Sequence, residues 1–178
     1  MKLLLLGYMG CGKSFYAKKL AEKKDVNFVD LDNYIEEKEN ASIATLFEKK
    51  GEVYFRKVEA KYLDEVLQLE QNAVVALGGG TPCYGNNLEK IKSQKDCVSV
   101  YLQKNILDIS KDLYAEKSTR PLIAHFSNQE DLVEYISKHL FERQVFYFQA
   151  DHKINLSQVA SNDEVLEELS SIFEANHS

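Results

Sequence analysis

The sequence predicts a three-layer α/β fold: a parallel sheet with helices packed on both faces. Two observations carry that expectation. Apolar bursts of strand length alternate with longer amphipathic stretches along the whole chain, which is the pattern of successive βαβ units. The bursts are also nearly continuous, as in Ala73-Val74-Val75-Ala76-Leu77, and strands buried on both faces read that way. A length of 178 residues suits a single domain, 1–178, with room for a real core.

Taken in order, residues 2–6 read as the first strand. Four apolar residues behind Lys2 are too few for the core of a signal peptide, so a buried strand is the simpler reading. Helical periodicity follows over 13–24, a strand over 26–29, and helices over 33–39, 42–49 and 52–70. A strand over 73–77, a helix over 86–94 and a strand over 97–102 come next, then a helix over 105–114. The polar stretch Ala115-Glu116-Lys117-Ser118-Thr119-Arg120-Pro121 is the best candidate for a mobile loop. A helix over 129–149, a strand over 152–155 and a helix over 161–174 complete the chain.

Charge and composition exclude several classes. With 22 basic and 28 acidic residues the net charge is −6, which weighs against nucleic acid or an anionic membrane surface as partner. No run approaches the roughly 18 apolar residues of a membrane span. Cys11, Cys83 and Cys97 show neither CxxC spacing nor an obvious pairing, so a cytoplasmic, reducing location is expected. The four histidines have no metal-ligand spacing and are read as solvent-facing or structural. Lys18-Lys19 and Lys23-Lys24 are read as solvated helix faces, and the aromatics Phe141, Phe146, Tyr147 and Phe148 as helix-to-sheet packing.

Six of the eight glycines fall in two clusters, and these carry the chemistry. Gly7-Tyr8-Met9-Gly10-Cys11-Gly12-Lys13-Ser14 matches G-x-x-x-x-G-K-[ST], the P-loop, between a strand and a helix. Glycines let backbone N–H groups curl around a phosphate, and the helix N-terminus adds its dipole. Lys13 is suited to the β- and γ-phosphates and the Ser14 hydroxyl to Mg²⁺. A nucleoside triphosphate is therefore expected. No Asn-Lys-x-Asp guanine-reading motif is present, and the length leaves no room for a motor's extra domains, so a small phosphotransferase is favoured.

The second substrate is addressed by three further segments. Asp30-Leu31-Asp32 follows the second strand, where strand alternation would set both carboxylates on one face beside the P-loop. Read more plainly, they are a helix N-cap and a first-turn acid. In Gly51-Glu52-Val53-Tyr54-Phe55-Arg56-Lys57-Val58-Glu59 the arginine and final glutamate stand three apart, so on a helix they share a face. Arginine is scarce here, at three residues against 19 lysines, which favours places where a planar fork is needed. Gly78-Gly79-Gly80 closes an apolar strand and leaves backbone amides bare to a ligand.

Together these segments closely resemble the shikimate kinase family, whose pattern is a P-loop, D-x-D, G-E-x-x-F-R-x-x-E, G-G-G, an R-P lid and a late arginine. Here they stand as Gly7–Ser14, Asp30/Asp32, Gly51–Glu59, Gly78–Gly80, Arg120-Pro121 and Arg143, in that order over roughly residues 1–157. The resemblance implies a nucleoside-monophosphate-kinase-like P-loop fold with a five-stranded parallel sheet and a lid at about 112–125. It implies transfer of the γ-phosphate of ATP to the 3-hydroxyl of shikimate, with Mg²⁺, by a monomer. Gly10, Cys11, Gly12, Lys13, Ser14 and Phe15 would then wrap the ATP phosphates, Ser14 would ligate Mg²⁺, and Asp30 would hold the metal through water. Asp32 would bond the acceptor hydroxyls and serve as base. Arg56 and Arg143, with the amides of Gly79 and Gly80, would hold the carboxylate, and Arg120 would close onto the phosphates with the lid.

Two departures from the family pattern stand out. Val145 replaces the proline two residues after Arg143, and Asn155-Leu156-Ser157-Gln158 lacks the basic, proline-containing loop expected near adenine. The alternatives are a gluconate kinase or nucleoside-monophosphate kinase, and, from another class, a nucleotide-binding regulator without phosphotransfer. Arg56–Glu59 combined with the triple glycine argues against the first two. Intact Lys13, Ser14 and Asp32 argue against the third.

Overall fold

The computed structural model describes residues 1–116 and 123–176; Arg120 and Pro121 lie outside them. Five strands form one parallel sheet in the order β2-β3-β1-β4-β5. They are β1 (Lys2–Leu6), β2 (Asn27–Asp30), β3 (Ala73–Ala76), β4 (Cys97–Gln103) and β5 (His152–Asn155). Among the described residues the helices are α1 (Lys13–Lys24), α2 (Leu31–Glu39), α3 (Ile43–Leu67), α4 (Asn87–Ser93), α5 (Ile106–Ala115), α6 (Gln129–Tyr147) and α7 (Asn162–Asn176). Every strand expected from the sequence is present, within about two residues at either end.

The central strand explains the layers. Successive side chains of β1 point to opposite faces. Leu4 and Leu6 enter a core with α2, α3, α5 and α6, whereas Leu3 and Leu5 enter one with α1 and α7. All four leucines are fully buried, so the near-continuous apolar run is the signature of a strand covered on both sides. Lys2 is buried as well and ends in an ion pair with Asp96 at 2.6 Å.

The two helices expected over 42–49 and 52–70 are both present within Ile43–Leu67, numbered together as α3, with a break between them at Gly51. Gly51 has φ 78 and ψ 170, which breaks the helical path and re-aims the segment that follows. Arg56 and Glu59 ride on that second half. Two expectations are corrected at the surface. Lys23 is exposed, as read, and pairs with Glu167 of α7 at 2.6 Å, but Lys24 beside it is half-buried and pairs with Glu174. Phe141 does not pack on the sheet: it is 71% exposed, since six residues of helix turn it away from the face that carries buried Tyr147.

Topology then assembles what the sequence scatters. The three neighbouring strands β2, β3 and β1 end at the same edge of the sheet. Asp30, Gly78–Gly80 and the P-loop follow those ends directly, which is where open parallel α/β sheets bind ligands.

Candidate active site

The P-loop runs from β1 into α1 and is built to receive an anion. Gly12 precedes the helix at φ 94 and ψ 13, a left-handed conformation open to glycine. No side chain among the described residues caps α1, and its first turn holds no acid. The unpaired N–H groups of that turn are thus left for a ligand. Lys13 is buried, and its Nζ donates to the carbonyls of Gly7 at 2.8 Å and Tyr8 at 2.9 Å. An ammonium has three donors, and the third meets only the weakly accepting Cys11 Sγ at 3.9 Å. Cys11 itself turns into the core below the loop, 2% exposed, so its side chain does not face the cleft.

A cleft of about 430 Å³ opens above the loop. Gly10, Gly12, Lys13, Ser14, Phe15, Asp30, Asp32 and Gly79 all line it, so most of the residues selected from sequence meet in one place. Met9, Leu77, Asp112, Ala115 and Glu116 complete the lining. The last three come from the C-terminal end of α5 and the residue after it, the start of the segment expected as a lid.

The two aspartates reach the cleft differently from the strand alternation expected of them. β2 ends at Asp30 and α2 begins at Leu31, so Asp30 is the N-cap and Asp32 a first-turn residue. Asp30 Oδ1 accepts from the amides of Asp32 at 3.1 Å and Asn33 at 3.3 Å, which anchors the carboxylate. Its other oxygen accepts from the Ser14 hydroxyl at 2.5 Å. The cap reading therefore holds on one oxygen, and the other oxygen of the same carboxylate faces Ser14.

Asp32 has the more unusual chemistry. Burial is the main cause that lifts its pKa, from 3.8 to about 6, and the neighbouring charge of Asp30 adds to it. Lys13 pulls the other way, and Glu59 and Glu36 add smaller upward pushes. A carboxyl poised there can take a proton near neutral pH.

The triple glycine is required by space. A Cβ on Gly78 would stand 2.7 Å from Asp32 Oδ1 and 2.9 Å from Thr81 Oγ1; one on Gly79 would stand 3.3 Å from the Met9 amide; one on Gly80 would stand 2.8 Å from an Arg56 nitrogen. Each position therefore makes room for a different part of the site. Gly78→Ala should displace the Asp32 carboxylate and lower kcat by about tenfold, because small misplacements of a reacting group are costly. An initial-rate comparison at saturating substrates checks it, and a full-speed variant would show that Asp32 tolerates the shift.

Arg56 is held from three sides. Its guanidinium donates to Glu59 at 2.8 Å and to Glu52 through two nitrogens, each at 3.3 Å, and it lies over the Tyr84 ring at 3.7 Å. Glu59 is 1% exposed and also accepts from the Thr81 hydroxyl at 2.8 Å, so this is no surface i,i+3 pair. Burial alone would lower the Arg56 pKa; Glu59, by charge and hydrogen bond, outweighs it and the value is raised. Arg143 is on the unbroken helix α6, as the absence of proline at 145 suggested. Its positive charge is felt by Tyr8, Cys83, His139 and Tyr147. Arg56, Gly80 and Arg143 do not line the phosphate cleft itself; Arg56 and Gly80 adjoin it on the Gly79 side.

Sequence reasoning gave Thr81 and Tyr84 no role and read Tyr147 only as packing, yet all three support the arginines and the glycine loop. Tyr8 also went unnoticed; its hydroxyl is 2.9 Å from His139 Nδ1. That contact makes His139 structural, as read, and burial first, then Arg143, lowers its pKa.

Comparison with known proteins places the chain in a family. A family model described as shikimate kinase matches residues 9–174. The shikimate kinase of Flavobacterium johnsoniae is 48% identical over 153 residues, covering 86% of this chain and 88% of its own. A crystal structure of shikimate kinase from Bacteroides thetaiotaomicron superposes with a TM-score of 0.89 at 31% identity, covering 98% of each chain. One from Acinetobacter baumannii, solved in complex with shikimate, gives 0.84 at 31% identity, covering 98% of this chain and 93% of that one. With its P-loop, aspartates, Arg56 and triple glycine gathered at one sheet edge, the chain belongs to the shikimate kinase family of ATP-dependent phosphotransferases.

Proposed function

We propose that the residues gathered at this sheet edge carry out the family's reaction, transfer of the γ-phosphoryl group of ATP to the 3-hydroxyl of shikimate. The observation that carries the assignment is the placing of Asp32. Its carboxyl sits between the phosphate loop and the Arg56–Glu59 corner, next to Gly78, with a pKa of about 6. In the proposed reaction the acceptor oxygen bonds to the γ-phosphorus as the bond from that phosphorus to the bridging oxygen breaks. The hydroxyl proton passes to Asp32, and ADP leaves.

Such transfers depend on alignment and charge compensation. The amides from Gly10 to Phe15, Lys13, and Arg120 from the 112–125 lid supply them in this reading. Arg56, Arg143 and the amides of Gly79 and Gly80 hold the carboxylate end, where a planar fork binds better than a point charge. The Ser14 hydroxyl and the Asp30 Oδ2 that accepts from it form a pair of hard oxygen donors, which suits Mg²⁺. When bound, Mg²⁺ would neutralise charge on the β- and γ-phosphates. No cluster of three acidic, His or Cys ligands occurs among the described residues, in keeping with a metal held largely by substrate phosphates and water.

We further propose a monomer in the cytoplasm that binds no nucleic acid. Three free cysteines support a reducing compartment, and no helix among the described residues is long and apolar enough to cross a membrane. A coupled ADP-release assay with ATP and Mg²⁺ tests the reading. ADP release should require shikimate and stay at background with gluconate or nucleoside monophosphates. ATP binding without a shikimate response would refute the acceptor assignment and spare the P-loop.

A further inference from the structure

The Gly79–Gly80 peptide is the central unit of a turn closed by the Thr81 N–H on the Gly78 carbonyl at 3.0 Å, and with glycine on both sides of it such a turn can hold that peptide in either of two opposite orientations. Its orientation comes from outside. The Tyr147 hydroxyl donates to the Gly79 carbonyl at 2.5 Å. That carbonyl and the Gly80 N–H belong to one planar trans unit, so they point in opposite directions, and fixing the oxygen fixes the aim of the N–H. We propose that Tyr147 is a positioning residue for acceptor binding, whose hydroxyl keeps the Gly80 N–H aimed, beside the Arg56 guanidinium, at the carboxylate of the acceptor. The proposal rests on the assignment of Gly80 and Arg56 to that carboxylate.

Three features suit Tyr147 to this task. Its side chain is fully buried, with its ring against Tyr101 at a centroid distance of 5.1 Å, so the hydroxyl is held in place by packing. Burial pushes the phenol above its ordinary pKa, so it remains a donor at all working pH values. Arg143 stands one turn earlier on the same helix, and its charge acts on that phenol. The helix end thus ties the second arginine to the glycine loop. Gly80 lies against Arg56, as the 2.8 Å from an added Cβ to the guanidinium shows. Four residues of sequence on α6 therefore connect two groups assigned to one carboxylate.

Tyr147→Phe keeps the ring and removes only the donor. The KM for shikimate should rise about five- to tenfold, the loss of one modest hydrogen bond's worth of positioning, with kcat and the KM for ATP within about twofold of wild type. Tyr101→Phe, which removes a neighbouring buried hydroxyl and leaves the bond to Gly79, should change neither constant. With an acceptor whose carboxylate is replaced by a primary alcohol, wild type and Tyr147→Phe should have the same KM. An unchanged shikimate KM in Tyr147→Phe, an equal rise for ATP, or the same rise in Tyr101→Phe would overturn the proposal. Failure of the underlying assignment looks different: it shows in the unmutated protein as turnover that does not respond to shikimate.

Discussion

Asp32→Asn should lower kcat by about 10²- to 10⁴-fold, the usual worth of a positioned base, while making the protein more stable at neutral pH. Both effects come from one buried carboxyl. Its pKa in the folded protein is about 6 against an ordinary 3.8, chiefly through burial and then through Asp30. Between those values the folded state binds more protons than the unfolded one, so stability falls as pH rises through the window. Above about pH 6 the ionised group is a cost on the order of 3 kcal/mol, and it is absent below the unfolded value. Asparagine fills the same space without the charge. The variant should therefore gain stability at pH 7–8 and show a flatter stability curve between pH 4 and 6. For wild type, kcat/KM for shikimate should fall tenfold per pH unit below about 6, as the base becomes protonated. Rates and urea melts across pH measure both. A variant with undiminished kcat would remove Asp32 as base, and one with an unaltered stability profile would remove the buried charge.

Much of the fold was legible because the sheet is parallel and its central strands are covered on both faces. In β1 and β3 burial on both faces forces apolar residues at every position but the ion-paired Lys2, so their limits could be read from composition alone. The P-loop was equally plain, since phosphate binding demands glycines and a lysine at fixed spacing. What spacing could not supply is contact across the sheet edge. Asp30 and Asp32 were selected for a strand alternation that does not occur; β2 stops at Asp30, whose side chain is occupied by capping α2. The triple glycine was read as bare backbone, whereas the structure also fills the space of its missing side chains with Asp32, the P-loop and Arg56.

The least legible residues are those whose role depends on a partner far along the chain. Tyr147 sits among aromatics on α6 and reads as packing, and it does stack on Tyr101. Its hydroxyl finds the Gly79 carbonyl only because the 3₁₀ turn Thr81–Cys83 and the end of α6 meet there. Tyr84 offers no pattern at all, and its contact with Arg56 follows from the path of the chain after Gly80. A hydroxyl or ring on an apolar face carries no mark of the partner it will meet.

Arg56 is where a conservative change should be least conservative. The guanidinium gives N–H groups from Nε and Nη2 to Glu52 and from Nη1 to Glu59 and lies over the Tyr84 ring at 3.7 Å, so its plane is held and a ligand can use the remaining two of its five N–H groups. Lysine keeps the charge but loses the fork and the stacked plane, and a mobile ammonium cannot serve Glu59 and a carboxylate ligand with the same geometry. Arg56→Lys should therefore raise the KM for shikimate by about 10- to 100-fold, the worth of a charge-assisted hydrogen bond, with the KM for ATP unchanged. Arg56→Ala adds a second penalty. Glu59 is 1% exposed and would keep a buried charge without its cation, which typically costs about 3–5 kcal/mol of stability. The lysine variant should melt close to wild type and bind shikimate poorly, whereas the alanine variant should do both badly. Adding Glu59→Gln to Arg56→Ala should restore part of the stability and none of the binding, because it removes the stranded charge without rebuilding the fork. Steady-state kinetics and thermal melts of the three variants separate the roles. An Arg56→Lys protein with a normal shikimate KM would take Arg56 out of the acceptor site and leave it as the counter-charge of Glu59.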